Sequence, residues 1–293
     1  MTLRKPTVTI LFVFLIVGLL FGGYCLLVEP YRVQVTRWTV KTPKWTLDKP
    51  LTIAVIADPH LIYPWKPPAF LDRVVQKTNV LKPDIVLLLG DYIGTHSLGW
   101  SVDPEEGTKP YGDLKAPLGV YAVVGNHDVV QGYPEAKGWL EALSKKVTVL
   151  QNQAIKTGDL WIAGLEEPYR QHPDIEKTME SITDQAPVIM MTHNPDMFPE
   201  IPDRVALTLA GHTHAGQVQL PFIGALPQVV PSAYGLRFLY GHIREGTKDL
   251  IVSSGLGETG LPIRLNALPE IVLVTLEKEN NPAVGKDEED DGQ

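Results

Sequence analysis

Hydrophobic positions along this chain form short, continuous runs that are separated by polar loops and by helix candidates. Five runs end directly in a polar loop, and they cover residues 52–57, 85–89, 120–124, 188–191 and 206–210. Three more segments have the pattern of strands, at residues 32–40, 249–253 and 270–276, and two have that of helices, at residues 69–81 and 135–145. Runs of valine, isoleucine and leucine that alternate with helices are typical of sheets buried on both faces. The pattern therefore predicts an α/β layered domain.

The first long apolar run is of another kind, because it is long enough to cross a membrane. Residues 8–28 contain no charged side chain, and a helix of that length spans about 30 Å, the thickness of the hydrocarbon core of a bilayer. A cleaved signal peptide would have a shorter apolar run, of about 7–15 residues, and an A-x-A-like cleavage site, which does not follow here. We therefore predict that residues 1–30 form a retained single-pass anchor in the cell (inner) membrane, with the lipid bilayer as a partner. Basic residues lie on both sides of the span, so the side of the membrane that carries the rest of the chain stays open.

The remainder of the chain is interpreted as one large domain, residues 31–279, and an acidic tail, residues 280–293. The tail has few apolar residues and is expected to be disordered. Within the domain, residues 97–117 are polar and rich in glycine and proline, and we expect them to form an inserted loop.

Composition and charge narrow the class of protein. Of the 293 residues, 44% are apolar and 20% are charged, which excludes global disorder and fibrous structure. The net charge is −8 and there is no basic stripe, so duplex nucleic acid is not expected as a partner. The single cysteine, Cys25, lies inside the apolar span, which excludes a disulfide framework and a cysteine-based zinc site. We expect a monomer.

The polar loops that follow the five runs hold an unusual set of side chains. Their candidate functional residues are Asp58, His60, Asp91, Asn126, His127, Asp128, His193, His212 and His214. Ligands of α/β folds gather outside the carboxyl ends of the strands, which is where these residues stand. Imidazole together with carboxylate suits zinc, manganese, iron, cobalt or nickel rather than magnesium or calcium. A carboxylate such as that of Asp91 has two oxygens and can bridge two cations about 3.5–4 Å apart.

In their order and spacing these residues resemble a known family. The string Asp58-x-His60, Gly90-Asp91, Gly125-Asn126-His127-Asp128, His193, Gly211-His212-x-His214 is similar to that of the calcineurin-like metallophosphoesterases, over residues 52–276. Residues 216–221, 254–257 and 261–264 resemble the membrane-associated bacterial branch, which includes phosphodiesterases and UDP-2,3-diacylglucosamine pyrophosphatases of lipid A synthesis. The resemblance implies a four-layer α/β/β/α metallophosphoesterase sandwich.

The same resemblance implies two divalent metal ions, with manganese favoured, and a role for each residue. One ion would be held by Asp58, His60, Asp91 and His214. The second would be held by Asp91, Asn126, His193 and His212. His127 would be the general acid on the leaving oxygen, with Asp128 orienting it. Pro59, between the first two ligands, and Gly94 depart from the pattern of many relatives.

We therefore predict a membrane-anchored dinuclear metallohydrolase that cleaves a phosphodiester or pyrophosphate bond, in a lipid-linked or sugar-nucleotide substrate. The alternatives are a phosphatase for soluble nucleotides or phosphoproteins and a catalytically inactive scaffold with the same fold. Three histidines outside the motifs, His96, His172 and His242, are expected at the surface. Arg237, Arg264 and Asn266 are expected to bind either phosphate or other parts of the protein. The aromatic residues Tyr31, Trp38, Trp45 and Trp65 form either a lipid-facing rim beside the site or part of the core.

Overall fold

The computed structural model of the protein describes residues 5–95, 98–129, 134–169 and 171–279. The α-helices of these residues are α1 (Lys5–Leu27), α2 (Pro68–Val80), α3 (Pro104–Thr108), α4 (Pro134–Ser144) and α5 (Ile175–Glu180). Short 3₁₀ helices lie at Glu29–Tyr31, Lys109–Asp113, Pro195–Glu200, His214–Gly216 and Pro227–Val229.

The strands in the first half of the described chain are β1 (Gln34–Thr42), β2 (Leu51–Ile56), β3 (Ile62–Tyr63), β4 (Ile85–Leu88), β5 (Trp100–Ser101), β6 (Val120–Ala122), β7 (Thr148–Val149) and β8 (Gln153–Thr157). Those in the second half are β9 (Leu160–Gly164), β10 (Val188–Met191), β11 (Leu207–Ala210), β12 (Gln219–Leu220), β13 (Gly224–Ala225), β14 (Gly241–Glu245), β15 (Lys248–Val252) and β16 (Glu270–Lys278).

Two six-stranded mixed sheets form the body of the domain. The first has the order β1-β16-β2-β4-β6-β7, with β2, β4, β6 and β7 parallel to one another and β16 antiparallel to β2. The second has the order β14-β15-β11-β10-β9-β8, with β9, β10, β11 and β15 parallel. Two-stranded pairs, β3 with β5 and β12 with β13, extend from loops. Because the central strands of both sheets are parallel, the loops at their carboxyl ends meet at one edge of each sheet.

The main hydrophobic core lies between the two sheets, and helices cover their outer faces. Buried residues from both sheets share the central cluster, among them Ile53, Val55, Leu87, Ile162, Ile189 and Leu209. On the outer face of the first sheet, Phe70 and Val74 of α2 and Trp139 of α4 are buried. On the outer face of the second sheet, Met179 of α5 packs against a cluster that contains Met190. The predicted α/β fold class is confirmed, and its helices and sheets are stacked in four layers.

The predicted elements agree with the structure over the central strands and differ in the loops. Residues 97–117, predicted to form an inserted loop, instead contain β5, α3 and a 3₁₀ helix. Asp103 caps α3, since its carboxylate accepts hydrogen bonds from the backbone of Glu105 and Glu106. The strands β8, β9 and β14 were not predicted, because none of them ends in a loop that carries candidate metal ligands. Residues 280–293, the predicted disordered tail, lie outside the described residues.

The end of the apolar helix α1 is bound to the domain by hydrogen bonds. Among the described residues, one helix is long and apolar enough to cross a membrane, and its side chains are almost entirely exposed. In its last turns, the carbonyl of Cys25 accepts a bond from the Arg264 backbone at 3.0 Å, and just after the helix the Glu29 carboxylate accepts one from the Ala267 backbone at 3.1 Å. The Nζ of Lys66, which is buried, donates to the carbonyl of Pro30. These contacts attach the residues that follow α1 to loops of the domain.

Candidate metal centre

The candidate residues stand in loops at the carboxyl ends of five central strands. Asp58 and His60 follow β2, Asp91 follows β4, and the residues from Asn126 to Asp128 follow β6; these strands are neighbours in the first sheet. His193 follows β10, and His212 and His214 follow β11, its neighbour in the second sheet. The site is therefore made where the two sheets face each other. Five of these residues have a left-handed backbone, namely Asp58, His60, Asp91, His212 and His214, with φ between 43° and 73°. Such strained conformations concentrate at functional sites.

The first predicted ligand set lies together in the structure. Donor atoms of Asp58, His60 and His214 lie within 4.8 Å of one another, and all three residues are buried. The Nε2 atoms of His60 and His214 are 3.2 Å apart. The Asp58 carboxylate also accepts a hydrogen bond from the backbone N–H of His212 at 3.0 Å. Donor atoms of residues far apart in the sequence thus lie close enough together to bind one ion.

The second predicted set forms an adjacent group. Donor atoms of Asp91, His193 and His212 lie within 4.8 Å of one another, and the three residues are buried. The Nε2 of His193 lies 3.1 Å from the Oδ1 of Asn126 and 3.0 Å from the Nδ1 of His212.

Asp91 stands between the two groups. Its Oδ2 lies 3.4 Å from the Nε2 of His60 and 3.3 Å from the Nε2 of His193, so one oxygen contacts both sets. Its Oδ1 accepts a hydrogen bond from the backbone N–H of His127 at 2.9 Å. The carboxylate is thereby held with one oxygen on the backbone and the other toward both groups. This is the arrangement that a bridging ligand needs.

The histidine rings are oriented as in a metal site, with one ring nitrogen facing a backbone carbonyl and the other facing the donor group. The Nδ1 atoms of His60, His193 and His214 lie 3.1, 2.8 and 3.2 Å from the carbonyl oxygens of Ile93, Leu89 and Gly257, to which they would donate. In that tautomer each Nε2 carries a lone pair, so the close pair of Nε2 atoms in the first set cannot form a hydrogen bond. Ligating histidines in proteins use the other ring nitrogen in this way. The donor set therefore fits a divalent cation between the lone pairs, and it is of the mixed nitrogen and oxygen kind that zinc, manganese and iron accept.

Burial has a large influence on the charges of the cluster. It raises the pKa of Asp58 to about 7, and it lowers the pKa of His60 and of His212 to about 3. Burial would also lower the pKa of His193, but the charge of Asp91, its hydrogen bond to the ring and the charge of Asp58 together outweigh burial and raise this pKa to about 10. For Asp91 itself, burial acts to raise the pKa, but the neighbouring histidines His193, His127 and His60 together hold this pKa well below its usual range. The cluster thus holds buried carboxylates that positive charge would stabilise.

Two close approaches require glycine beside these carboxylates. A Cβ on Gly125 would lie 2.1 Å from the Oδ1 of Asp91, and a Cβ on Gly211 would lie 2.5 Å from the Oδ2 of Asp58. These two glycines therefore leave room for the carboxylates that face them.

His127 and Asp128 do not interact as predicted. The Nδ1 of His127 lies 2.5 Å from the hydroxyl oxygen of Thr95, and its ring packs edge-on against His60 with centroids 4.8 Å apart. The carboxylate of Asp128 instead accepts hydrogen bonds from the backbone N–H groups of Asp91, Tyr92 and Gly125, each at 2.8 Å. The prediction that Asp128 orients His127 is therefore corrected: the carboxylate ties the loop after β4 to the loop after β6, because backbone donors surround it. His127 is also close enough to His60 and Asp91 to form a third group of possible donors.

The structure decides the open roles of the other candidate residues. Arg264 is fully buried, and it donates to the Glu258 carboxylate at 3.2 Å and to the carbonyl of Ala267 at 2.7 Å, so it holds loops rather than substrate. Arg237 pairs with Glu245 at the surface, and Asn266 donates to a backbone carbonyl.

The remaining histidines and aromatic residues agree with the predicted positions in some cases and differ from them in others. His172 is exposed, as expected, whereas His242 is partly buried beside Asp249 at 2.8 Å. His96 lies outside the described residues. Trp45 is 1% exposed and belongs to the core between the sheets, which excludes it from a lipid-facing rim. The Trp65 Nε1 donates to the Leu98 carbonyl at 2.7 Å.

Two residues near the site were missed by the sequence analysis. Thr95 contacts His127, as described above. Tyr169 is 54% exposed, and its ring centroid lies 5.6 Å from that of His212. Neither belongs to a motif, and each reaches the site through the loop that carries it, so no signal in the sequence would have identified them.

Comparison with known proteins agrees with the geometry. Residues 51–216 match the calcineurin-like phosphoesterase family. The chain is 33% identical over 269 residues to the uncharacterized metallophosphoesterase YkuE of Bacillus subtilis (strain 168), covering 88% of this chain and 90% of the relative. It is 28% identical over 275 residues to an uncharacterized metallophosphoesterase of Aquifex aeolicus (strain VF5), covering 90% and 99%. A transmembrane protein with metallophosphoesterase domain from Danio rerio is 29% identical over 249 residues, and the match covers 78% of this chain and 53% of that protein.

Proposed function

Since the chain belongs to the calcineurin-like phosphoesterase family and is a metal-dependent phosphoesterase, we propose that it hydrolyses a phosphodiester or pyrophosphate bond at a dinuclear centre. The substrate is a lipid-linked molecule or a sugar nucleotide, and the enzyme acts at the membrane to which residues 1–30 anchor it. The observation that carries the proposal is the position of the Asp91 Oδ2, within 3.4 Å of one histidine of each donor group.

The residues that would hold the two ions are those of the two groups. Asp58, His60, Asp91 and His214 would hold one ion, and Asp91, Asn126, His193 and His212 the other. When bound, divalent cations supply Lewis acidity to the phosphoryl oxygens and lower the pKa of water. Asn126 contributes a neutral oxygen, so the two sets leave a net positive charge for an anionic substrate. Manganese is the metal that we favour.

The other side chains of the site position groups and move protons. The protonated ring of His127 donates its Nε2 proton to the leaving oxygen as the bond between that oxygen and phosphorus breaks, and the ring becomes neutral. The hydroxyl of Thr95 faces the Nδ1 of the same ring at 2.5 Å. The protonated ring carries N–H on both nitrogens, and it keeps Nδ1–H after Nε2 has given up its proton, so the Thr95 hydroxyl oxygen can accept from Nδ1 in both states. Asp128 keeps the two loops together through its backbone hydrogen bonds.

The anchoring of the enzyme rests on the first helix and on its relatives. The helix α1 has the length and composition of a membrane span, and one relative is named a transmembrane protein. The hydrogen bonds at the end of the helix hold Arg264 and Lys66 beside it, and Lys66 follows the candidate ligand His60 closely in the chain, which supports a substrate that resides in the bilayer.

The function is tested with the purified full-length chain after treatment with a chelator. We expect hydrolysis of bis-p-nitrophenyl phosphate to be absent without metal and to return with added manganese. We expect p-nitrophenyl phosphate, a monoester, to be the poorer substrate under the same conditions. A strong preference for the monoester would favour a soluble phosphatase instead. Release of monoester from phospholipids and from UDP-diacyl sugars would then identify the physiological class.

A second prediction concerns Thr95. We expect Thr95→Val to lower kcat about fivefold, which corresponds to the ~1 kcal/mol of a typical hydrogen bond, with both metals retained. The loss should be larger for an alkyl leaving group than for p-nitrophenolate, because only the former needs a well-placed proton. The matched control is Thr157→Val, whose hydroxyl donates to the Leu118 carbonyl away from the site. An effect of the same size in both variants would remove Thr95 from the positioning of His127.

A further inference from the structure

An apolar cavity of about 430 Å³ lies beside the metal-donor groups. His214, a member of the first donor group, forms part of its wall. The apolar side chains that line the cavity are Val218, Leu220, Leu226, Val229, Leu261 and Ile263. The volume is within the range of about 300–1,000 Å³ that is usual for sites of small ligands. A molecule in this cavity would contact a candidate metal ligand and an apolar surface at once.

Two of the polar side chains that line the cavity, those of Thr213 and Gln217, are already hydrogen-bonded to the protein. The hydroxyl of Thr213 donates to the carbonyl of Leu239 at 2.6 Å. The side-chain nitrogen of Gln217 donates to the carbonyls of Thr259 and Leu261, each at 3.0 Å, and its oxygen accepts from the Thr259 backbone at 2.8 Å. These bonds hold one wall in place, and they leave few groups that would recognise a peptide backbone or a sugar. The occupant that fits such a lining is a hydrocarbon.

The rim of the cavity exposes large apolar side chains to the surroundings. Leu226, Val229 and Leu261 line the cavity and are nevertheless 40%, 64% and 55% exposed. The hairpin of β12 and β13 begins beside them, and its tip carries Phe222 and Ile223, which are both exposed. Phe222 adopts φ of 66°, a left-handed conformation that a phenylalanine rarely takes. Contiguous exposed apolar groups of this kind mark a contact with a partner or a membrane.

The wall of the cavity is joined to the end of α1. Ile263 lines the cavity, and the next residue, Arg264, donates its backbone N–H to the carbonyl of Cys25 at 3.0 Å. Cys25 lies in the last turns of the apolar helix. The cavity wall and the end of the helix that would enter the bilayer are therefore continuous through residues 263 and 264. This continuity favours a lipid of the same membrane over an apolar segment of another protein.

We propose that this cavity binds an alkyl chain of the membrane lipid whose phosphoester lies at the dinuclear centre. The inference rests on the proposed function and names the part of the substrate that decides specificity. The exposed hairpin tip enters the bilayer surface, the chain leaves the bilayer along Leu226 and Val229, and the phosphoester beyond it reaches the donor groups beside His214.

The test uses the full-length chain in phosphatidylcholine nanodiscs with manganese. The substrates are p-nitrophenyl alkyl phosphates, from methyl to octyl. We expect kcat/KM to rise with chain length, by up to about fourfold for each methylene that is buried. Val229→Asp should remove this rise, because a carboxylate at the rim opposes the entry of a chain. The matched control is Val80→Asp, at an exposed position on α2, which should keep the slope of the intact protein.

A flat series in the intact protein, with the diesters still hydrolysed, would overturn the cavity proposal and leave the proposed function standing. If no diester were hydrolysed, the proposed function would fail. Whether the cavity binds an alkyl chain would then be tested by a binding measurement alone. For that purpose, isothermal titration calorimetry compares hexyl phosphate with methyl phosphate, with empty nanodiscs as the blank. Tighter binding of hexyl phosphate that is lost in Val229→Asp and kept in Val80→Asp supports the cavity. Equal affinity for the two phosphates overturns it.

Discussion

Asp91→Asn is expected to lose most of both bound metal ions and with them the phosphodiesterase activity. The Oδ1 of Asp91 accepts from the His127 backbone, so the substituted amide would keep its oxygen there and turn its nitrogen toward the Nε2 atoms of His60 and His193. An amide nitrogen donates hydrogen bonds to these atoms and cannot bind a cation. Loss of a group that only supports a ligand costs about 10–100-fold in metal affinity, and loss of the bridge should exceed about 100-fold.

The measurement is the metal content of the purified variants, by elemental analysis after dialysis against trace manganese. His60→Ala and His212→Ala serve as comparisons, because each removes a donor from one group only. They are expected to retain more metal than Asp91→Asn. Thermal unfolding of all variants in a chelator separates loss of metal from loss of the fold. If Asp91→Asn bound as much metal as the intact protein, Asp91 would not be the bridge.

His127→Gln is expected to keep both ions and to lose roughly 10²–10⁴-fold in kcat, the usual contribution of general acid catalysis. Glutamine retains polarity and approximate size at this position but cannot supply a proton at neutral pH. The loss should shrink for bis-p-nitrophenyl phosphate, whose leaving group needs little protonation, and should be full for an alkyl diester.

Metal analysis is essential for this variant, because His127 lies within reach of His60 and Asp91 as a possible donor. Loss of metal in His127→Gln would make His127 a ligand rather than the acid. Equal losses of rate with both leaving groups would mean that His127 positions the substrate.

Features of the site that depend on neighbours in the sequence were predictable. Features that depend on contacts between residues far apart in the chain were not. The polar loops after β2, β4, β6, β10 and β11 were predicted, because apolar runs that end in polar residues are local patterns. The role of Asp128 was predicted wrongly, since a carboxylate beside a histidine in sequence need not face it. Its oxygens are taken by backbone N–H groups, among them those of Asp91 and Tyr92. Thr95 reaches His127 through a contact between two loops, 32 residues apart in the chain.

The aromatic residues show the same limit. A tryptophan or tyrosine at a membrane interface cannot be told from a buried one by its residue type. Only the packing around the side chain shows which of the two it is. Trp45 fills the core between the sheets, whereas the exposed apolar side chains lie elsewhere, at Phe222, Ile223 and the rim of the cavity. The sequence contains all these residues, but their exposure depends on what packs against them.

The sequence by itself determined the α/β class, the apolar span and the types of side chain available to hold metals, because burial periodicity and residue chemistry are properties of short segments. Tertiary structure alone decided which metal-donor atoms lie close enough together to bind the same ion. The carboxylate of Asp58 meets the backbone of His212 across 154 residues, and the Oδ2 of Asp91 contacts histidines of both sheets. It also decided that an apolar cavity opens beside His214, next to the end of α1. These features arise where two sheets and several loops meet, and the packing that brings them together is long-range in the chain.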